Sequence, residues 1–186
     1  MRNRVWASRS RLGGRPRIAE NLPEPSLLGN AEEGRQLLGG EWRALGERVS
    51  VGENSIWDVG PAGGSIEATR QSFLWLDDLA ALGTRPAREL AQSWTQDWIR
   101  RYAGGRGPGW TPEIAGRRAK RLTAHAAFLT DKLDHTATDR FWRALAGQQK
   151  YLVRSWDRAP QGVPKLRALS GLVWTGLVIK HSGDKT

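Results

Sequence analysis

The sequence predicts an all-α fold, a packed array of amphipathic helices, and three observations carry that prediction. After Ser72 the chain reads FLWLDDLAALGTRPARELAQSWTQDWIRRY, breaks at a glycine-rich stretch, and resumes as WTPEIAGRRAKRLTAHAAFL up to Leu129. Trp, Leu and Ala recur there at spacings of three and four, with Arg, Asp and Gln opposite them, as on helices with one buried face. Helix-start signals then fall where the periodicity begins: Thr84 with Pro86, and Thr111-Pro112-Glu113. Finally, LRALSGLVWTGLVI near the end is apolar on nearly every side, the mark of a helix buried all round.

Taken in order, residues 1–28 form a basic, disordered arm. Arg2, Arg4, Arg9, Arg11, Arg15 and Arg17 all precede the first acid, Glu20, and Pro16, Pro23 and Pro25 deny the arm a helical period. Residues 29–66 are irregular. A short helix is expected over Ala31–Leu38, stopped by Gly39-Gly40. Trp42, Leu45, Val49 and Val51 alternate loosely, so Glu41–Val51 is a short hairpin or an extended strip. WDVGPAGG makes the rest, to Ser65, a loop.

The helical domain is expected over residues 67–181, with a tail at 182–186. Its first helix runs from Glu67 to Leu82, with Phe73, Leu76 and Ala80 on one stripe, Trp75, Leu79 and Leu82 beside it, and Gly83 as the stop. The second carries Ala87, Ala91, Trp94 and Trp98 inward and an Asp97–Arg101 pair on the other side. Ala103–Gly109 breaks the chain. The third spans Thr111–Leu129, packing through Ala115, Ala119, Leu122, Ala126 and Leu129. A fourth opens on Thr136 and Asp139 as a capping box and passes through Phe141, Leu145, Gln149, Leu152 and Trp156 to Asp157. The last, Pro164–Ile179, has too few helices before it to cover all its faces, which suggests a chain cut from a longer one.

Composition narrows the chemistry. The 186 residues carry a net charge of +10 and no cysteine, which excludes disulfides, thiolate metal sites and cysteine nucleophiles. No apolar run reaches the roughly 18 residues of a membrane span. The N-terminus has no apolar core for a secretory signal, so as written the chain reads as unexported and cytoplasmic. A basic arm attracts nucleic acid, an anionic membrane surface or an acidic polymer. Nucleic acid is disfavoured by the lack of a basic recognition helix.

Of the three histidines, His135 and His181 fall in solvated positions. His125 shares a stripe with Ile114, Arg118, Arg121 and Phe128 on the third helix, opposite the Ala/Leu face. Two guanidiniums and an imidazole on one face suit an anionic ligand, against the plainer expectation of a solvated face or a satisfied core histidine. Tyr102 and Tyr151 are candidate proton donors, or helix-end rings that pack. Among ten tryptophans, Trp75, Trp94, Trp98, Trp142 and Trp156 sit on apolar stripes, while Trp57 and Trp110 stand in Gly/Pro loops where a flat ring can serve a ligand. GGRGPG follows a helix and contains proline, so it is not a dinucleotide fingerprint. Ser170-Gly171 lacks a strand–turn–helix setting. No metal site or cofactor is expected.

The ordered passages GNAEEGRQLLGGEWRALGERV, WDV, FLWLDDLAALGTRPARELAQSWTQDWIRRY, WTPEIAGRRAKRLTAHAAFL and PKLRALSGLVWTGL, between Gly29 and Leu177, resemble the N-terminal part of the bacterial heparinase II/III family. The resemblance implies a partial α/α toroid of antiparallel helical hairpins, followed in the family by a large β-sandwich. It implies a periplasmic polysaccharide lyase that cleaves uronic-acid polymers by β-elimination: a base takes the proton beside the carboxylate, an asparagine or similar donor steadies the charge, and Tyr or His completes the transfer. Here Asn3, Asn21, Asn30 and Asn54 all precede the helical region, so no catalytic set carries over. Arg118, Arg121 and His125 remain as a substrate-groove expectation, with Trp57 and Trp110 beside them. The implied partners are an acidic, uronate-containing polysaccharide and the later toroid and sandwich regions of the same protein. The alternative is a non-catalytic helical module that binds acidic polysaccharide or a protein partner.

Overall fold

The computed structural model describes residues 16–23, 28–60 and 63–180. Most of the expected arm, with Arg2, Arg4, Arg9, Arg11 and Arg15, and the tail with His181 lie outside the described residues. The described chain is mainly helical, with two small antiparallel sheets. Within the segment expected to be a disordered arm, β1 (Arg17–Ile18) pairs with β4 (Ile179–Lys180), Ile18 opposite Ile179. The Ala19 amide adds a bond to the Val178 carbonyl at 2.8 Å, tying this segment to the last helix.

Helix α1 (Ala31–Leu38) starts at Asn30, whose side chain accepts from the Glu32 amide. The hairpin alternative then holds: β2 (Glu41–Ala44) pairs with β3 (Glu47–Ser50), Trp42 opposite Val49. Leu45 and Gly46 both take positive φ, 53° and 85°, as a two-residue turn matched to strand twist requires. Trp42 and Ala44 face the core and Leu45 stands out on the turn.

The expected helix over Glu67–Leu82 is two helices, α2 (Gly64–Gln71) and α3 (Leu74–Leu82). Between them Phe73 adopts φ 63°, ψ 32°, a left-handed conformation that costs a non-glycine residue about 1–2 kcal/mol. Burial offsets that cost. Phe73 is fully enclosed, its ring 4.9 Å from Trp75, 5.6 Å from Trp98 and 5.7 Å from Trp57. A continuous helix would not deliver that ring to the same place and would use up the carbonyls of Gln71 and Ser72, which are needed elsewhere.

Helix α4 (Arg85–Tyr102) begins where Thr84 caps it, with Pro86 in its first turn. Its Ala87, Ala91, Trp94 and Trp98 are buried as the spacing predicts. Helix α5 (Pro112–Ala124) is capped by Thr111, but the expected helix to Leu129 is interrupted at His125, and α6 (Ala126–Thr130) completes it. Helix α7 (His135–Val153) starts at Asp134, whose carboxylate accepts from the Ala137 amide at 2.9 Å. The expected Thr136/Asp139 box is therefore displaced. A carboxylate caps better than a threonine hydroxyl, and Asp139 instead pairs with Arg143 one turn on. The helix also ends before Trp156, which lies in a short 3-10 turn, Trp156–Arg158.

Helix α8 (Val163–Val178) lies along α5 and also touches α7. At the crossing Gly116 meets Gly171: a Cβ on Gly116 would stand 2.3 Å from the Arg167 carbonyl oxygen, and one on Gly171 2.3 Å from that of Gly116. The backbones touch, so no side chain fits between them. Ala168, Gly171, Thr175 and Val178 are buried on this side. The expectation of burial all round is corrected on the other. Leu166 is 64% exposed, Val173 62%, Leu177 56% and Val163 55%, because no described element lies over that face.

Alanine at Gly116 or Gly171 must push two helices apart. Either substitution is expected to cost about 3 kcal/mol by overpacking, read as a lowered urea midpoint with unchanged slope. A loss under about 1 kcal/mol would mean that the helices are not in backbone contact.

Candidate functional site

The stripe read on the third helix is real, and it points inward. Helix α5 is a central element, with α8 on one side and the α2–α3 break, α3 and α7 on the other. Its polar stripe meets the second set.

Arg118 is fully buried. Its Nε donates to Gln148 Oε1 at 2.7 Å, and its Nη1 donates to the carbonyls of Gln71 and Gly109, both at 3.0 Å. The guanidinium lies over the Trp98 ring at 4.3 Å and the Trp110 ring at 5.2 Å. Gln71 is held in turn, accepting from Trp98 Nε1 at 2.9 Å and donating to Glu67 at 3.0 Å. Burial drives the Arg118 pKa down to about 9, so the side chain remains protonated at neutral pH, and the nearby Tyr151 oxygen opposes the drop. Tyr151 is itself raised by burial, and its hydroxyl donates to the Trp110 carbonyl at 2.9 Å.

One turn along α5, Arg121 and His125 converge on Asp77 of α3. Arg121 Nε is 2.6 Å from Asp77 Oδ2 and His125 Nε2 is 2.9 Å from Oδ1. Arg121 Nη1 also reaches the Ser72 carbonyl at 3.3 Å. Asp77 and His125 are nearly sealed from solvent and Arg121 nearly so. The adjacent Asp78 is raised by burial and accepts from the Asn30 amide at 2.9 Å, which brings α1 into the same network.

The expectation of an open anionic groove along Arg118, Arg121 and His125 is thus corrected, because the stripe closes on the α2–α3 break. Trp57 and Trp110 are not exposed platforms either. Trp57 is 5% exposed with its indole N–H on the Trp94 carbonyl at 2.7 Å, and Trp110 is 4% exposed with its own on the Tyr102 carbonyl at 2.9 Å. Their loops fold over the core, and each indole satisfies a helix-end or helix-interior carbonyl while burying a large ring. Tyr102 stacks edge-on to Trp57 at 5.7 Å.

Sequence reasoning missed the acceptors that draw the stripe inward: Asp77, Gln71 and Gln148. Each is a polar residue set on or beside an apolar stripe, and that was the available signal. Also unanticipated is a surface groove between the end of α4 and the middle of α7, a cavity of ≈ 360 Å³ lined by Ile99, Arg100, Ala103, Arg140, Arg143, Ala144 and Gly147. Three guanidiniums surround a floor of small aliphatic residues. Among the described residues no group of histidines and carboxylates is arranged to hold a metal ion. No helix there is long and apolar enough to cross a membrane. Comparison with protein-family models, with curated proteins and with solved structures finds no match.

Replacing Arg118 with Met would strand the Gln148, Gln71 and Gly109 acceptors and loosen two indoles. The expected loss is about 3 kcal/mol or more, accompanied by a changed near-ultraviolet circular dichroism signal from the tryptophans. A stability within about 1 kcal/mol of wild type would show that these bonds contribute little.

Proposed function

We propose that this chain is the N-terminal helical portion of a heparinase II/III-like polysaccharide lyase, a partial α/α toroid that frames the binding of a uronic-acid polysaccharide and does not itself carry out β-elimination. The resemblance of the ordered passages from Gly29 to Leu177 supports the family. One structural observation supports the division of labour: two of the candidate proton-transfer groups, His125 and Tyr151, are spent on the fold. His125 is bound to Asp77 at 2.9 Å and buried, and the Tyr151 hydroxyl is bound to the Trp110 carbonyl. A general base must reach the proton it removes, and a sealed imidazole reaches no polymer. On this reading the elimination falls to the later toroid helices and sandwich that the resemblance implies, and a periplasmic location is part of the same proposal.

The test is direct. The chain alone, incubated with uronate polymers, is expected to release no unsaturated product absorbing in the ultraviolet. Turnover by the chain alone would overturn the scaffold reading.

A second reading, a helical module that docks a protein surface, is favoured by the stripe on α8. Val163, Leu166, Ser170, Val173 and Leu177 follow a three–four–three–four spacing, the seam of a helix that packs against another helix. Within the lyase reading, its occupant is a further helical hairpin of the toroid. The chain alone should bind a hydrophobic dye, and Leu166→Glu with Val173→Glu should remove most of that signal with little loss of stability, since both side chains are exposed. An undiminished dye signal in the double variant would place the exposed apolar surface elsewhere.

A further inference from the structure

Among the described residues, the arginines around the two surface cavities differ in how fully carboxylates match them. Around the second cavity, lined by Arg85, Arg88, Glu89, Gln92, Asp131 and Lys132, the guanidiniums are matched: Arg85 with Glu89 and Arg88 with Asp131, both at 2.7 Å. The groove between α4 and α7 is different.

There Arg100 shares Asp97 with Arg101, at 3.2 Å and 2.9 Å, so one carboxylate serves two guanidiniums. Arg143 has Asp139 at 2.9 Å. Arg140 donates to the neutral Gln96 Oε1 at 3.3 Å, and Gln96 is nearly buried and anchored on the Ala137 carbonyl at 3.1 Å. Arg140 is therefore held in place by an amide that leaves its charge uncancelled. Arg100 and Arg143 are 58% and 59% exposed, and ion pairs this open to water are weak enough for a ligand to displace. Arg100 stands in the last turn of α4, where a cation offsets the negative carbonyl end of the helix. Arg140 and Arg143, within the first half of α7, supply the remaining attraction for an anion.

The floor selects among anions. Ile99 and Ala103 lie one turn apart on the α4 side, and Ala144 and Gly147 continue the α7 face that starts at Arg140. It is apolar and small, with no aromatic ring among its lining residues on which a nucleic-acid base would stack. A volume of ≈ 360 Å³ is at the lower end for small organic ligands. Guanidinium forks bind carboxylate and sulfate through paired N–H donors, more specifically than a point charge does.

We propose that this groove is a binding site for a compact organic anion bearing carboxylate or sulfate groups, with Arg140 as its fixed anchor, Arg100 and Arg143 as the closing arms, and Ile99, Ala103, Ala144 and Gly147 under its carbon skeleton. The site stands on its own chemistry and does not depend on the lyase reading.

The experiment is calorimetric titration of the chain with citrate at low and at moderate ionic strength, repeated with a small sulfate ester. Wild type is expected to bind one equivalent. Arg140→Gln and Arg143→Gln should each weaken binding about tenfold, and Arg140→Lys, which keeps the charge and loses the fork, should fall between wild type and Arg140→Gln. Gly147→Leu, which fills the floor without changing charge, should also abolish binding. The control is Arg85→Gln with Arg88→Gln, which removes two charges from the matched cavity and should leave binding within about twofold. Melting curves on every variant confirm that each is folded. Absence of binding to wild type overturns the proposal, and so does a control that weakens binding as much as the groove variants do.

Discussion

The guanidinium of Arg118 is the constraint on which the rest of the structure depends. It lies against both the Trp98 and Trp110 rings and bonds three acceptors from three places: the α2–α3 break at Gln71, the loop at Gly109, and α7 at Gln148. None of its bonds goes to a carboxylate. Isolating a charge from water is expensive, and an ion in this setting persists only when strong dipoles replace its hydration. Here two carbonyls and one amide oxygen take the Nε and Nη1 protons, Nη2 has no hydrogen-bond partner among the described residues, and two indole rings flank the cation, a desolvated cation–π contact being worth about 2 kcal/mol. Carbonyls of a continuous helix would already be occupied by amides four residues on. The break at Phe73 frees Gln71 and Ser72 for Arg118 and Arg121, so the strained backbone and the buried cation are two sides of one arrangement.

This explains which parts of the fold were legible and which were not. Helix starts at Thr84 and Thr111, the stop at Gly83, the Ala103–Gly109 break and the buried face of α4 all follow from local rules, because caps, prolines and periodic apolar residues act within one or two turns. The breaks at Phe73 and His125 have no local cause. Phe73 leaves the helix to complete an aromatic cluster drawn from the Trp57 loop, α3 and α4, and His125 turns to a carboxylate 48 positions away in sequence. The spacing sets Arg118 and Arg121 on one face of α5, with His125 just past its end on the same side. The direction of this stripe is not legible from its own polarity, which says outward, because only the matching Asp77, Gln71 and Gln148 say inward.

Helix α8 fails the prediction in the opposite sense. Its apolar residues outnumber those that one neighbouring helix can cover, and Gly116 and Gly171 bring α5 so close that the covered strip is narrow. The remainder, Val163 to Leu177, has the spacing of a second packing seam. A seam of that kind is hard to understand as free surface, since exposed leucine and valine at helical spacing contribute nothing to stability where they stand. It is intelligible as a packing surface, because a contiguous exposed apolar strip of this kind marks a place where another element or a partner docks.

The same bookkeeping of partners that moves Arg118 inside leads outward to the groove between α4 and α7. An arginine on a helix surface is held in water by entropy and gains little from one exposed carboxylate. What distinguishes Arg140 is that a buried glutamine positions it without neutralising it. Glutamine can steer a guanidinium through one acceptor while its own N–H₂ is tied to the backbone, so the cation is oriented and still carries its full field. Asp97, by contrast, is divided between Arg100 and Arg101, and Arg101 reaches on to Asp58 at 2.6 Å. Asp97 is therefore shared, and it neutralises Arg100 only in part. The interior arginine therefore builds the framework, and Arg140 in the groove keeps its charge to offer a ligand.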